Sequence, residues 1–238
     1  LKSAFLAQMS HEIRTPLNVI LTSIPLIADE IPSEDNELKI ILDSVKSAGK
    51  RLQRTIDMIL NMSSVQSGNY KATFEKFDLI SDLKKMVSEF KSLSDDKWLN
   101  LKFTHPKEES LVTADRYTVN QIFQNLINNA IKYTLKGYVE VYVKNLSDEK
   151  VKVEIRDSGI GMSEEYLLKM FTPFSQEDVG YKREFEGNGL GLALVKKYVE
   201  LNRAEIYVES EKNIGSVFSV VFDKEVVFTV SQDFENKY

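Results

Sequence analysis

The sequence contains no cysteine and only two histidines, His11 and His105. Without cysteine the chain forms no disulfides and offers no thiolate metal ligands, and two imidazoles are too few for a structural zinc site. No run of 18 apolar residues and no signal-like start occurs, so no membrane-spanning segment is predicted. The net charge of −5 argues against nucleic-acid binding through phosphate neutralisation. We therefore expect a soluble segment without nucleic-acid or membrane contacts.

The length of 238 residues allows two modest domains, each with its own core. Hydrophobic residues make up 42% and charged residues 28%, as in ordinary globular proteins. Leu1 leads directly into a helical pattern without an initiator methionine, so we expect a piece of a longer protein. For this segment we expect a cytoplasmic location, in a protein that is either soluble or membrane-anchored elsewhere. The predicted divisions are a helical hairpin over 1–68, a second domain over 72–223, and an extension over 224–238 with no assigned role.

The first domain carries apolar residues at intervals of seven on both of its predicted helices. Such stripes predict helices packed in a left-handed bundle. Two helices cannot enclose these stripes alone, so we expect a homodimer with a four-helix bundle. A turn cluster over 32–36 separates the helices, and Gly68 predicts the end of the second. The stripes comprise Leu6, Ile13, Ile20 and Ile27 with Leu17, Ile24 and Ile31, then Leu38, Val45, Leu52 and Ile59 with Ile41, Ala48 and Met62.

The second domain alternates strand-like and helix-like segments. Their mixed order predicts a two-layer α/β sandwich, which makes the whole chain an α+β protein. Asp78 is a plausible N-cap for the first of these helices. The predicted helices cover 78–93, 115–133 and 190–200, and the predicted strands cover 99–103, 138–143, 151–155, 206–209 and 216–222.

Two asparagines on the long helix of the second domain suggest a metal site. Asn125 and Asn129 are four residues apart, so both side chains lie on one helix face. Magnesium takes oxygen ligands and keeps several waters, so one amide oxygen with substrate phosphates suffices. A solvated polar face is the alternative for this motif on its own.

Two glycine motifs follow along the chain. The first, Asp157-Ser-Gly-Ile-Gly161, comes directly after a strand, where an aspartate can accept a hydrogen bond from an exocyclic amine. The second, Gly187-Asn-Gly-Leu-Gly191, opens a helix whose free N–H groups suit a phosphate. Between them, Phe171-Thr-Pro-Phe174 and a polar stretch with Arg183 have the composition of a mobile lid.

Taken in order, these motifs resemble the N, G1, F and G2 boxes of the histidine-kinase ATP-binding domain, a fold shared with Hsp90-, gyrase- and MutL-type ATPases. The run Phe5-Leu-Ala-Gln-Met-Ser-His-Glu-Ile-Arg-Thr-Pro-Leu-Asn18 is similar to the phosphoacceptor box of sensor histidine kinases. The resemblance covers roughly residues 1 to 223. Asn188 stands where the family most often has threonine, and Leu194 replaces a common isoleucine.

The resemblance implies an ATP- and Mg²⁺-dependent protein-histidine kinase. Asn129 would hold Mg²⁺ with Asn125 in support, Asp157 would bind the adenine amino group, and Lys132 and Tyr133 would border the phosphates and base. The full set of implied nucleotide-binding residues is Asn125, Asn129, Lys132, Tyr133, Asp157, Gly159, Gly161, Phe174, Arg183, Gly187, Gly189, Leu190 and Gly191.

The phosphoacceptor helix supplies three expected catalytic residues. His11 lies just outside the apolar stripe, and a neutral imidazole has a nucleophilic nitrogen at cellular pH. Glu12 is placed to take up the proton that the ring loses. Thr15 lies one helical turn beyond His11, and the resemblance implies a role for it in dephosphorylating the receiver domain of a response regulator. The alternative for Thr15 is a bond to a backbone carbonyl near Pro16.

Two other functions remain open at this point. One is a conformational ATPase of the same superfamily, which the His11-Glu12 box argues against. The other is a scaffold with a degenerate site, which Asn129, Asp157 and the three glycines of the second motif argue against.

Overall fold

The computed structural model of the chain describes residues 2–31, 36–146, 149–177 and 188–224, with side chains from Glu12 onward except at 29 and 30. Two long helices come first, α1 (Lys2–Glu30) and α2 (Asn36–Gln66). Helix α1 is continuous through both Pro16 and Pro25. The predicted turn over 32–36 lies mostly outside the described residues.

The end of α2 is a Schellman motif, as the sequence suggests. Gly68 has φ +68°, and the amides of Gly68 and Asn69 donate to the carbonyls of Val65 and Ser64. A residue without Cβ adopts this left-handed conformation at little cost. The chain then leaves the helix at a defined angle toward the second domain.

The two helices bury only one of the predicted apolar stripes. Leu17 and Ile24 are 6% and 5% exposed, and Arg14 forms a 2.6 Å ion pair with Asp57 across the hairpin. The other stripe of α1 stays open, with Ile20 50% exposed, and so do most positions of the α2 stripes, with Leu52 48% and Ile41 55% exposed. A single hairpin therefore leaves an apolar surface without cover among the described residues.

The second part of the chain is a two-layer α/β sandwich, which confirms the predicted fold class. A five-stranded sheet of order β2-β4-β5-β7-β6 is antiparallel except where β2 pairs with β4. Strands β1 and β3 form a separate antiparallel pair. The elements are β1 (Phe74–Asp78), α3 (Leu79–Asp96), β2 (Asn100–Thr104), β3 (Leu111–Asp115), α4 (Arg116–Tyr133), β4 (Tyr138–Asn145), β5 (Lys150–Asp157), α5 (Glu164–Leu167), α6 (Gly191–Leu201), β6 (Glu205–Glu211) and β7 (Gly215–Asp223).

One core joins the helices to the sheet. Phe123 and Ile127 of α4 and Val153 of β5 are fully buried in it. Met62, near the end of α2, also belongs to this core, so the hairpin is packed directly onto the second domain. Among the residues described, no helix is long and apolar enough to cross a bilayer.

Aspartates cap the two long helices of the sandwich. Asp78 accepts hydrogen bonds from the amides of Ile80 and Ser81, which confirms the predicted N-cap of α3. Asp115 accepts from the amide of Thr118 at the start of α4. Asp115 also accepts from the Tyr70 hydroxyl and the Thr73 amide. The segment that follows α2 is thereby tied to the helix that carries both asparagines.

Three elements were not predicted: β1, β3 and α5. Strands β1 and β3 have five residues each and are stabilised by pairing across more than 30 residues of sequence. Helix α5 is a single turn that begins at Ser163, whose hydroxyl accepts from the Tyr166 amide. The C-terminal extension beyond Lys224, which has no assigned role, lies outside the described residues.

Candidate nucleotide site and phosphoacceptor helix

The C-terminal half of α4 carries four of the expected site residues. Asn125 donates from Nδ2 to the Gln121 carbonyl at 2.8 Å, which directs its Oδ1 to the start of α6. A Cβ added at Gly191 would lie 3.2 Å from that oxygen. Asn129 lies one turn further along, partly exposed, and within the described part of the chain its side chain has no hydrogen-bond partner. Its amide oxygen is therefore available to a ligand.

Lys132 and Tyr133 form a pair at the end of α4. The Lys132 ammonium donates to the Tyr133 hydroxyl at 2.8 Å and lies 4.3 Å from the centroid of that ring. Both side chains are half-buried. A cation and an aromatic face thus lie side by side next to the asparagines.

The first glycine motif forms a tight turn after β5. The Gly159 amide donates to Asp157 Oδ1 at 2.9 Å, and the Ile160 amide donates to the Tyr133 carbonyl at 3.2 Å. Burial raises the pKa of Asp157 to about 6, although hydrogen bonds from the Gly159 and Ser216 backbones oppose the shift. The result is a half-buried carboxylate beside the end of α4.

Two glycines are required by the backbone at this site. Gly161 has φ +60°, and a Cβ there would collide with the carbonyl of Glu211. Gly189 has φ +69°, and a Cβ would lie 2.6 Å from the backbone of Phe174. The Phe174 amide donates to the Gly189 carbonyl at 2.9 Å, while its side chain is 69% exposed. Both glycine motifs are thereby held by close backbone contacts at Gly161 and Gly189.

The start of α6 is open to an anion. Leu190 is the N-cap residue and makes no side-chain cap bond, so first-turn amides remain available to a ligand. The Leu190 side chain is itself 2% exposed, so it packs into the interior and does not line the site. Its amide donates to Asn188 Oδ1 at 3.1 Å.

Asn188 also links the site to the hairpin, which the sequence did not suggest. Its Nδ2 donates to Thr55 Oγ1 at 3.2 Å and lies 3.6 Å from Met58 Sδ. Both partners are on α2. An amide in place of the commoner threonine has the reach for this contact, but only the packing of the two domains reveals its partners.

The structure thus brings the expected residues of α4 next to both glycine motifs. Tyr133 contacts the turn after Asp157, and Asn125 contacts the start of α6. Amide oxygens suit Mg²⁺, uncapped helix amides suit phosphate, and a half-buried carboxylate suits an amine donor. The donor set therefore fits a Mg–nucleotide. Arg183 and Gly187, predicted to belong to this site, lie outside the described residues.

The predicted phosphoacceptor helix is α1. His11 is in its helical backbone, and its ring lies outside the described side chains. Glu12 and Thr15 are exposed on the same helix. The positions of these two side chains are compatible with chemistry at the helix surface, and their roles stay predictions.

Family models match both parts of the chain. The model described as the His Kinase A phospho-acceptor domain matches residues 1–68. The model described as the histidine kinase-, DNA gyrase B- and HSP90-like ATPase matches residues 114–226. Together they contain the hairpin, both asparagines and both glycine motifs.

One full-length relative is similar along nearly the whole of this chain. The autoinducer 2 sensor kinase/phosphatase LuxQ of Vibrio parahaemolyticus is 32% identical over 225 residues, which are 92% of this chain and 26% of LuxQ. The chain therefore spans about a quarter of the length of that relative.

Two solved structures share the fold. Full-length ShkA in complex with AMPPNP matches with a TM-score of 0.76 and 22% identity, over 92% of this chain and 45% of ShkA. ThkA in complex with the response regulator protein TrrA matches with a TM-score of 0.61 and 23% identity, over 93% of this chain and 61% of that chain. The hairpin and the sandwich therefore occur together in proteins of known structure.

Proposed function

This chain belongs to the sensor histidine kinase family, and we propose that it transfers the γ-phosphoryl group of ATP to His11 and then to an aspartate of a response regulator. One observation carries the proposal most directly. Asn125 Oδ1 points to the start of α6, and Asn129, whose side chain has no hydrogen-bond partner among the described residues, lies one turn further along α4. A metal-type ligand and a phosphate-type site thereby lie side by side.

The nucleotide would be held by three features of the sandwich. The half-buried carboxylate of Asp157 accepts a hydrogen bond from the adenine amino group, and the first-turn amides of α6 donate to phosphate oxygens. Lys132 adds a positive charge at the border of the site. Asn129 would hold Mg²⁺, which neutralises charge on the phosphates. ShkA, solved with an ATP analogue, supports ATP as the nucleotide.

The transfer itself requires a neutral imidazole at His11. A ring nitrogen attacks the γ-phosphorus, the P–N bond forms, and the bond from phosphorus to the ADP oxygen breaks. The other ring nitrogen loses its proton to the carboxylate of Glu12, the exposed residue that follows His11 on α1. The phosphoryl group then passes from His11 to an aspartate carboxylate of the regulator.

A homodimer is the proposed assembly. The exposed stripe on α1 and α2 is apolar and follows a seven-residue repeat, so a second hairpin is the partner that fits it. The regulator would approach the outside of the resulting bundle, at the exposed faces of Glu12 and Thr15. ThkA, solved with a response regulator, supports this type of partner.

Dephosphorylation of the regulator is the second proposed activity, favoured by the exposed position of Thr15 on α1 and by the kinase/phosphatase description of LuxQ. A hydroxyl there can hold a water in line with a phosphoaspartate. Thr15→Ala should keep His11 labelling within about threefold and lose dephosphorylation, and Glu12→Gln should do the reverse. Equal loss of both activities in Thr15→Ala would instead assign Thr15 a structural role.

The proposed kinase function is tested by incubating the chain with γ-labelled ATP and Mg²⁺. A phosphohistidine is labile in acid and stable in base, so the label should be lost on acid treatment and retained in alkali. Steady ATP turnover without labelled protein would indicate a conformational ATPase. Neither turnover nor label, with ATP bound or not, would indicate a scaffold.

A further inference from the structure

The C-terminal turn of α4 depends on a lysine from another helix. The last four carbonyls of a helix have no partner in the regular pattern unless something caps them. In α4 the Ala130 carbonyl accepts from the amide and hydroxyl of Thr134. The Tyr133 carbonyl accepts from the Ile160 amide in the turn after Asp157. The two carbonyls between them are left for a different donor.

Lys97 supplies that donor. Its ammonium donates to the Ile131 carbonyl at 2.9 Å and to the Lys132 carbonyl at 3.0 Å. Lys97 is the C-cap residue of α3, and it lies more than 30 residues in sequence before the two carbonyls that it bonds. A cation at a helix C-terminus is also favoured by the helix dipole.

The Lys97 ammonium is partly buried and lies near a second positive charge, that of Lys132. Burial and the nearby charge of Lys132 lower the pKa of Lys97. Since like charges repel, a fixed ammonium at Lys97 favours arrangements in which the Lys132 side chain points away. In agreement with this, the Lys132 side chain lies over the ring of Tyr133 and donates to its hydroxyl.

We propose that Lys97 is a positioning residue for nucleotide binding, because it fixes the turn that presents Lys132 and Tyr133. The chain of contacts is continuous. Lys97 holds the Lys132 carbonyl, the next carbonyl, of Tyr133, holds Ile160, and the adjacent Gly159 amide donates to Asp157. Loss of Lys97 frees the end of α4 and, through it, the turn beside the adenine-binding carboxylate. This inference rests on the proposed nucleotide site.

The test compares Lys97→Met, Lys97→Arg and a control, Lys91→Met, in the full chain. Lys91 is on the same helix, exposed, and paired only with Asp95 among the described residues. The measurements are the KM for ATP and kcat of autophosphorylation, with thermal unfolding to set a temperature at which every variant is folded. Lys97→Met should raise the KM about tenfold, the scale of losing hydrogen bonds to a charged group.

The pattern across the variants separates positioning from general stability. The kcat of Lys97→Met should stay within about threefold of wild type, since the acceptor and the metal ligand are untouched. Lys97→Arg should restore most of the affinity, because a guanidinium can donate to both carbonyls. Lys91→Met should match wild type. An unchanged KM in Lys97→Met, with only a lower Tm, would overturn the inference.

Two further measurements keep the test decisive. If Lys97→Met does not fold, Lys97→Gln is judged by the same KM criterion. Asp157→Asn is measured in parallel, because unchanged ATP binding in that variant would mean that the nucleotide site itself is wrongly assigned. Weaker binding in Asp157→Asn together with normal binding in Lys97→Met would refute the role of Lys97 alone.

Discussion

The helical hairpin and the α/β sandwich bury their apolar side chains to very different extents. Among the described side chains of α1 and α2, Leu17, Ile24 and Met62 are below a tenth exposed, and Met62 belongs to the core of the sandwich. The sandwich encloses a continuous core in which Phe123 and Ile127 are fully buried. The exposed large apolar side chains among the described residues of the hairpin are Ile13, Val19, Ile20, Leu26, Ile27, Leu38, Ile40, Ile41, Val45 and Leu52.

This difference separates a part of the molecule that needs a partner from one that does not. Burial of apolar area is the main favourable term in folding, so the hairpin would gain stability from the proposed second copy, whereas the sandwich has its own core. The same division separates the chemistry. The proposed acceptor, His11, belongs to the hairpin, and the proposed nucleotide-binding residues belong to the sandwich. Changes in one region should therefore leave the other largely intact.

The largest expected effect is the loss of phosphoryl transfer in Asn129→Ala. Phosphoryl transfer depends on positioning and charge neutralisation, so losing the metal ligand should lower autophosphorylation at least about a hundredfold. Thermal unfolding should change little, because the Asn129 side chain is partly exposed and makes no hydrogen bond within the described residues. The rate is measured with labelled ATP.

Asn128→Ala is the matched control for that change. Asn128 is exposed on the same helix, one residue earlier, and should tolerate alanine. Equal rates in Asn129→Ala and wild type would remove Asn129 from the site.

The next effect concerns assembly, through Ile20→Glu. Ile20 is 50% exposed in the open stripe of α1, and a charge there would be buried twice in a symmetric bundle. The dimer dissociation constant should rise at least about a hundredfold. Sedimentation should show monomer at micromolar concentration, while nucleotide binding by the sandwich stays unchanged.

Lys50→Glu is the control, since Lys50 is exposed on α2 outside the predicted stripe. A dimer that survives Ile20→Glu but not Lys50→Glu would place the interface on another face of the hairpin.

A smaller effect is expected from Asp157→Asn, and it should depend on pH. ATP affinity should fall at least about tenfold and the preference for ATP over GTP should be lost, because the adenine amine loses its acceptor. In wild type, affinity should fall as the pH drops below about 6, the pKa of Asp157. The variant should show no such dependence. Binding titrations with ATP and with GTP, at values from about pH 5 to about pH 8, check this.

Stability without nucleotide should move the other way. Because burial raises the pKa of folded Asp157 above its ordinary 3.8, its contribution to stability is full below pH 4 or so and is lost as the pH rises through about 6. Asp157→Asn should therefore unfold at a higher temperature than wild type near neutral pH, and this advantage should shrink in acid. A destabilised variant at neutral pH would contradict the assigned cause of the shift.

The smallest effect compares how α2 and α3 end. Both helices end in a Schellman motif, but Trp98 occupies in α3 the left-handed position that Gly68 holds in α2, with φ +56°. Trp98 is 92% exposed, so little packing would be lost on replacement. Trp98→Gly should stabilise the sandwich by about 1 kcal/mol, seen as a higher Tm. A lower Tm would mean that the indole contributes contacts that outweigh its backbone strain.

Much of the fold could be predicted because its signals are local. The apolar periodicity of α4 and the N-cap at Asp78 depend on residues within a few positions of each other. Strands β1 and β3 could not be found in this way, since they are stabilised by pairing with each other and by burial of Phe77 and Val112 in the common core. The ends of the remaining elements of the sandwich differ from the predicted ends by at most three residues, and pairing with neighbouring strands makes β4, β5, β6 and β7 longer than predicted.

The candidate site divides along the same line. Asn125, Asn129, Asp157 and Gly191 follow from motif spacing. The contact of Asn188 with Thr55 depends on how the domains pack, and the bonds from Lys97 to α4 join helices distant in sequence. No pattern within one segment contains either contact.

The most direct test of the division between acceptor and nucleotide site is His11→Gln. The variant is incubated with γ-labelled ATP and Mg²⁺ beside wild type, and ATP binding is measured on the same samples. The predicted result is unchanged ATP affinity with no labelled protein, while wild type carries an acid-labile label. Persistent label in His11→Gln would show that another residue is the acceptor, and loss of ATP binding would show that the two regions are not separable.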